Sequence, residues 1–337
     1  MSGPPETFII INHSAARARA AWCAVRPELE RHGVPFAAHE ARGPGDAQRR
    51  AREALQEGYR TVAVVGGDGT LGEVASGFFT ADESREDGSG MPAPINRDAA
   101  LAVLPGGTGN DFARACQQER ATLALWIERL VAHARAADQA QTTRAIDVLH
   151  GQVYVRGSNG DQGAQRSFVC LNAATLGIGA EVAGRVAAQA GAVRGMPGEA
   201  RFAIAALGAL ARWRSRRMRL LVDGEEVLTC GTNLVAVANS AYAGGGMMFS
   251  PEARVDDGLL DVVTACDLSR AVILREMARI HRGGHVANPR VRIWRGRRVR
   301  IETEPSSDPL PIEADGDVRG HTPVEFQVMP GALRVVV

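Results

Sequence analysis

The 337-residue sequence contains no lysine, so all 39 of its basic residues are arginine. That absence excludes two kinds of chemistry at once. A Walker-A phosphate loop needs a lysine on the β and γ phosphates, and a pyridoxal enzyme needs one for its Schiff base. Long apolar runs are missing as well. The longest candidate, Ala203 to Ala211, falls well short of the roughly 20 residues that a membrane-spanning helix needs, and the chain reads as soluble or peripheral. Met1 to Glu6 shows no basic region followed by an apolar stretch, so no secretory signal is read there and a cytoplasmic location is expected. Cys23, Cys116, Cys170, Cys230 and Cys266 are odd in number and widely spaced. They lack the close pairing of a zinc site or a disulfide framework, and all five are expected to be reduced thiols, mostly buried. A net charge of +1 gives no global attraction to nucleic acid.

What is present fits two domains. The length exceeds that at which a single hydrophobic core stops growing, and 45% apolar residues can fill two cores. Up to about residue 145, short β-rich runs alternate with longer Ala/Arg/Glu segments. Phe8 to Asn12, Val34 to His39, Thr61 to Val65 and Ala100 to Leu104 read as buried strands. Ala16 to Arg31, Asp46 to Glu57 and Leu71 to Phe78 have helical composition. Repeated βα units with apolar strands imply a parallel sheet covered by helices, with ligands beyond the carboxyl ends of its strands. Thr80 to Asp98, rich in Asp, Glu, Ser, Gly and Pro, reads as a mobile insertion.

Beyond Arg144 the pattern changes to β-branched runs separated by Gly-rich turns: Ala145 to Leu149, Val153 to Arg156, Ser167 to Asn172, Met218 to Val222, Asn233 to Ala238 and Leu259 to Ala265. An antiparallel β domain is expected, interrupted by helices at Glu199 to Trp213 and Ser269 to Arg282. Asp223-Gly224-Glu225, between strand-like Arg219 to Val222 and Val227 to Cys230, reads as a hairpin turn.

Strand Thr61 to Val65 runs straight into Gly66-Gly67-Asp68-Gly69-Thr70 and then a helix beginning near Leu71. Glycines let backbone N–H groups approach an anion, and a helix N-terminus adds a favourable dipole. A bare glycine cluster can also be a tight turn. The enclosed Asp68 favours a phosphate cradle, because a carboxylate beside phosphates is repulsive unless a metal or water lies between. Strand Ala100 to Leu104 repeats the logic with Pro105-Gly106-Gly107-Thr108-Gly109-Asn110-Asp111-Phe112-Ala113-Arg114. On neighbouring strands the two loops would form one crevice.

Val65 to Leu71 and Pro105 to Arg114 resemble the two nucleotide signatures of the diacylglycerol kinase catalytic-domain family, which includes bacterial lipid kinases and relatives of sphingosine and ceramide kinases. Asn172 with Leu176-Gly177-Ile178-Gly179-Ala180 is similar to the family's second-domain segment. So are Asn239 to Gly246, Pro251-Glu252-Ala253 and Asp256 to Asp261. Glu313-Ala314-Asp315-Gly316-Asp317 occupies the place of the family's Asp-Gly-Glu. The resemblance implies an α/β fold: an N-terminal parallel-sheet nucleotide-binding domain like that of phosphofructokinase and NAD kinase over residues 1–143, then a C-terminal antiparallel β-sandwich domain for the lipid over 144–324. Residues 325–337 are expected to return to the first domain. The implied activity is transfer of the γ-phosphate of ATP to a lipid hydroxyl with Mg2+. By the same likeness Asn12, Gly66, Gly67, Asp68, Gly69, Thr70, Gly107, Thr108 and Asn110 bind the nucleotide. Asp257 and the main-chain carbonyls near Arg254 and Leu259 hold the metal, and Asp111 and Asp147 join Asp68 in a supporting carboxylate network. Asp317, with Asp315 beside it, takes the position of the family's proposed proton acceptor.

Read without the resemblance, Asp257-Gly258 and Asp315-Gly316 are each hairpin signals, and Asp147 is a plain surface carboxylate. The sequence also departs from the family. Asp317 is one methylene shorter than Glu, and displacing a catalytic group by about 1 Å costs on the order of a hundredfold. Asn12-His13-Ser14-Ala15-Ala16 stands where relatives carry Asn-Pro-x-Ser-Gly, Ala41 where a nucleotide-contacting Thr is familiar, and Gly72 where Asn is common. These changes thin the side-chain contacts to ATP and leave both backbone cradles. Expected partners are a lipid substrate and, transiently, a membrane surface, met by the Trp-containing basic stretches Arg212 to Arg217 and Arg290 to Arg300; solvated arginines are the alternative reading. A homodimer is left open. Two rival functions are an NAD-kinase-like nucleotide kinase, whose expected Asn-Glu pair and Thr-Gly-Ser-Thr run are not found, and a nucleotide-binding regulatory module without transfer activity, favoured by Asp317.

Overall fold

The computed structural model describes residues 6–15, 17–80, 90–117, 122–154, 165–189, 196, 198–306 and 308–337. The chain divides into two compact units. One comprises Met1–Val148, Val255–Asp257 and Met329–Val337, the other Leu149–Arg254 and Gly258–Val328.

The first unit alternates strands and helices: β1 (Thr7–Ile11), α1 (Ala18–Arg31), β2 (Phe36–Glu40), α2 (Asp46–Gln56), β3 (Thr61–Gly66), α3 (Asp68–Gly77), β4 (Ala100–Pro105), α4 (Asp111–Gln117) and α5 (Leu123–Arg135). β1 lies parallel between β2 and β3, and β3 lies parallel to β4. Every residue of β1 and β3 is buried, the signature of a sheet covered on both faces. α1 turns Ala18, Ala21, Val25 and Leu29 inward at helical spacing. Ala16, the expected start of that helix, lies outside the described residues, as do residues 81–89 of the expected insertion. At its described end that segment is anchored, with Thr80 and Ala93 exchanging hydrogen bonds through the Thr80 amide and hydroxyl.

β5 (Thr143–Tyr154) is one continuous strand where two were expected, and Val155 and Arg156 lie outside the described residues. The break expected between Leu149 and Val153 does not form, because Gly151 and Gln152 pair with β6 (Gln165–Cys170) opposite Phe168 and Ser167. The second unit then contains β7 (Ala173–Gly177), α6 (Ile178–Ala187), α7 (Gly198–Arg212), β8 (Arg216–Val222), β9 (Glu225–Ala238), β10 (Tyr242–Ala243), β11 (Met247–Met248), β12 (Leu260–Cys266), α8 (Arg270–Arg279), β13 (Val291–Gly296), β14 (Arg298–Glu304), β15 (Pro311–Ala314) and β16 (Asp317–His321). The final strand, β17 (Val324–Val336), pairs antiparallel with β14 through Val324 to Gln327 and parallel with β4 through Arg334 and Val335.

Antiparallel pairing dominates the second unit. Along β9, Val235 and Val237 enter one core while Ala236 and Ala238 enter another, and β12 divides Val262 from Val263 in the same way. Both faces of these strands are therefore covered, which explains their unbroken apolar runs. The hairpin at Asp223-Gly224 is present, with φ of 51° and 90° joining β8 to β9. Helix α6 was not expected. It begins where Gly177, at φ 82°, turns the chain away from β7.

Two further expectations are corrected. Cys230 and Cys266 form a disulfide, and Cys23 is exposed, leaving Cys116 and Cys170 as buried free thiols. β12 runs antiparallel to β9 and ends with Cys266 opposite Thr232, two residues from Cys230, a proximity that a separation of 36 residues does not signal. Trp213 is not available to a membrane surface. It is 8% exposed within the core, with the Arg216 guanidinium 5.5 Å from its ring centroid. The arginines flanking Trp294 lie on β13, which pairs with β12 alone among the described residues, and charge on such an edge discourages pairing with another chain.

Helices α2 and α3 cross closely at Gly77. A Cβ built there would lie 2.5 Å from the Gln48 carbonyl oxygen and 2.7 Å from the Ala51 Cβ. Gly77→Ala is expected to lower stability by about 1–3 kcal/mol, read as a lower urea midpoint with an unchanged slope; an unchanged midpoint would contradict this packing.

Candidate active site

The site in the first unit is built at the carboxyl ends of β1, β3 and β4. β3 ends at Gly66, and Gly67, extended at φ −96° and ψ −176°, caps α3. The helix begins at Asp68 and not near Leu71, so Asp68, Gly69 and Thr70 form its first turn. Two glycines suffice to complete the bend, and an acidic residue in a first turn suits the helix dipole.

Register places Gly66 opposite Pro105 on β4, and the Gly106 amide donates to the Gly66 carbonyl at 2.7 Å. The two bends touch. A Cβ on Gly107 would lie 2.6 Å from the Gly67 Cα, and one on Gly106 would lie 2.9 Å from the Ala18 Cα. Asn110, at φ 50°, accepts from the Gly107 amide at 3.0 Å and donates back to its carbonyl at 3.2 Å. Asp68 accepts from the Phe112 amide at 3.1 Å, so one carboxylate links α3 to α4. Just past β1, the side-chain Nδ2 of Asn12 donates to the Thr70 hydroxyl at 2.9 Å. The Arg17 amide donates to the Gly106 carbonyl at 3.0 Å. Gly66, Gly67, Asp68 and Asn110 line a small cleft together with Val64, Leu71, Val103, Pro105 and Ala113. Gly69 and Thr108 are exposed. Such an assembly can receive an oxyanion at the N–H groups of the first turn of α3, since the Gly106, Gly107 and Phe112 amides already have partners that hold the frame.

Asp111 and Asp147 are both 2% exposed. The Asp147 amide donates to the Val255 carbonyl at 2.6 Å, and its carboxylate accepts from the Gly331 amide at 2.8 Å. Asp147 is therefore not a surface carboxylate. This bond ties the segment bearing Asp257 to β5 within the first unit, while Arg254 and Leu259 are assigned to the second. Among the described residues no three His, Cys, Asp or Glu side chains gather to hold a metal. A divalent ion would rest on Asp257 and main-chain oxygens, a hard donor set that suits magnesium with several waters retained.

The second unit holds its own polar cluster. Asp315 and Gly316, at φ 48° and 94°, form the turn joining β15 to β16, so the hairpin reading of this dipeptide is correct. Asp315 also anchors it: its carboxylate accepts from the Leu171 and Asn172 amides at 2.8 and 3.1 Å. Asn239 donates to the Leu171 carbonyl at 3.0 Å, and Ser240 bonds Asn172 at 3.3 Å. Asp317 opens β16 with its side chain 60% exposed, 3.4 Å from Arg319. Glu313 was assigned no role from the sequence. Its carboxyl accepts from Thr175 at 2.6 Å and from the Gly316 amide at 2.5 Å. Burial pushes its pKa up to about 7 against these hydrogen bonds, with Asp315 adding to the rise. Its place two residues before Asp315 on a strand was the available signal.

Two family models match the chain. A family model described as the diacylglycerol kinase catalytic domain matches residues 6–147, and one described as a YegS C-terminal NAD kinase beta sandwich-like domain matches residues 174–337. The chain is 32% identical over 303 residues to a probable lipid kinase YegS-like of Pseudomonas aeruginosa, covering 86% of this chain and 81% of the relative. It is 30% identical over 308 residues to one of Xanthomonas euvesicatoria, covering 91% and 88%. A solved structure of a diacylglycerol kinase from Bacillus anthracis is similar in fold at a TM-score of 0.66 and 18% identity, covering 100% of this chain and 98% of that one.

Glu313 makes stability depend on pH. Its folded pKa of about 7 lies above the ordinary 4.5, so its contribution is fully present below the lower value and is lost as pH rises through the higher one. Urea unfolding between pH 4 and 8 is expected to show a fall across this window that Glu313→Gln flattens. Parallel profiles for the two proteins would contradict the raised pKa.

Proposed function

Because the chain belongs to the diacylglycerol kinase catalytic-domain family, we propose that it is an ATP- and Mg2+-dependent lipid kinase, transferring the γ-phosphate to a hydroxyl of diacylglycerol or a related lipid. The observation that carries this reading is the union of the two glycine bends, Gly66-Gly67 and Gly106-Gly107, around Asp68. No lysine is needed there. Main-chain N–H groups of the first turn of α3 would bind the triphosphate, with Thr108 and Asn12 supplying side-chain contacts. Asn110 and Asn12 support the reading through the bonds that fix Gly107 and Thr70. Asp257, with the carbonyls of Arg254 and Leu259, would hold the magnesium ion, and Asp68, Asp111 and Asp147 would orient its waters. When bound, the ion supplies charge neutralisation on the phosphates as the outer group transfers.

In this reading Asp317 takes the proton from the lipid hydroxyl and Asp315 holds the turn beneath it. The acceptor would be met at a membrane surface. Among the described residues no helix is long and apolar enough to cross a membrane. With Trp213 in the core, the contact falls to the stretch from Arg290 to Arg300, where Arg292, Ile293 and Arg297 are exposed and Trp294 is half-buried.

Incubation with labelled ATP, magnesium and a panel of diacylglycerol, ceramide, sphingosine and NAD is expected to label a lipid; label in NAD alone, or nucleotide binding without product, would reject the reading. Asp68→Asn keeps an oxygen for the Phe112 amide while removing the charge. Its turnover is expected to fall by about 100-fold or more with the fold intact, and near-normal turnover would contradict the assigned site. Co-sedimentation is expected to favour anionic over neutral vesicles, since each cation near an anionic surface contributes about 1 kcal/mol. Equal binding to both would remove the membrane contact.

A further inference from the structure

Glu313 is a half-buried carboxyl group on β15, two residues before the first residue of the Asp315-Gly316 turn. Glu313 stands directly opposite Thr175 in the pairing of β15 with β7, and the Thr175 hydroxyl donates to one carboxyl oxygen at 2.6 Å. The other oxygen accepts from the Gly316 amide at 2.5 Å. Gly316 is the second residue of a turn whose first, Asp315, has a left-handed φ of 48° that a side chain rarely adopts. At the same point the pairing of β15 with β16 shifts register, between Ile312 and Glu313.

Asp317 follows the turn directly. Its side chain is 60% exposed and meets Arg319, two residues along the same strand. Its placement therefore depends on the turn, and the turn is gripped twice. Asp315 holds it to the amides of Leu171 and Asn172, and Glu313 holds it to β7 through Thr175.

We propose that Glu313 is a positioning residue for phosphoryl transfer, fixing the Asp315-Gly316 turn against Thr175 of β7 so that Asp317 is presented in one place. The proposal rests on the lipid kinase reading and adds to it a residue that acts through another. Asp is one methylene shorter than Glu, which leaves less reach to absorb an error in backbone position. An error of about 1 Å at a reacting group costs on the order of a hundredfold.

The test uses the full chain with labelled ATP, magnesium and the lipid that the panel identifies. Glu313→Ala is expected to lower kcat by about 10- to 100-fold while KM for ATP stays within about twofold of wild type. Glu313→Gln, whose side chain can still accept from Gly316 and bond Thr175, is expected to recover most of kcat. Equal kcat in wild type and Glu313→Ala, or equal loss in both variants, would overturn the proposal. Hydrogen exchange read on a peptide covering residues 313–321 gives a measure independent of activity. Exchange at the turn is expected to quicken in Glu313→Ala and not in Glu313→Gln, and unchanged exchange in Glu313→Ala also overturns the proposal. Wild-type protein that labels no lipid rejects the kinase reading, and hydrogen exchange then decides separately whether Glu313 grips the turn.

Discussion

Two main chains in the first unit approach more closely than any side chain would permit. Gly67 and Gly107 meet at a distance where a single added carbon on the latter would come within 2.6 Å of the former's Cα. The rest of the first unit's polar end depends on that approach. The Gly106 amide can reach the Gly66 carbonyl only because β3 and β4 are adjacent, parallel and in register at Gly66 and Pro105. Asp68 can reach the Phe112 amide only because both helices spring from bends that touch. The arrangement is one cooperative unit: register sets the bends, the bends set the helix starts, and the helix starts bring the Asp68 carboxylate to the Phe112 amide.

The second unit solves a different problem. Its central strands are covered on both faces, with alternate residues of β9 entering separate cores. Such a strand has no polar face to spare, and the unit's chemistry collects where strands end. Asn172 lies beyond β6, Asn239 and Ser240 beyond β9, and Asp315 in the turn beyond β15. Their mutual hydrogen bonds satisfy groups that would otherwise be buried without partners. The same bonds fix a hairpin whose left-handed first residue would be costly if left to itself.

Legibility in the sequence followed the range of the interaction involved. Strand positions in the first unit were readable because a buried parallel strand is apolar at every residue. The hairpin at Asp223 was readable because two adjacent residues carry the whole signal. The start of α3 was misread by three residues, since Asp68-Gly69-Thr70 has the composition of a loop and becomes helical only once Gly67 caps it. The Cys230–Cys266 bond, the inward turn of Trp213 and the grip of Glu313 on Gly316 all depend on which strand lies beside which. A single sequence read for periodicity does not contain that information. The family resemblance carried the two loops and the Asp315-Gly316 segment, but it had nothing to say about Glu313, whose role is visible only from its distances to Thr175 and Gly316.

The missing lysine and the glycine bends bear on each other. A chain without lysine that binds phosphate must find its donors among arginine side chains or the main chain. Arginine offers a long, planar group that needs room and a carboxylate or phosphate edge to match, whereas the cleft beside Asp68 is narrow and lined by glycine, proline and small apolar residues. Main-chain N–H groups fit that space, because they project from the wall itself and lose no side-chain freedom when a ligand arrives. Neither His13 nor Ala41 lines that cleft, and the course of the backbone there is set by β3, β4 and the contact between Gly67 and Gly107.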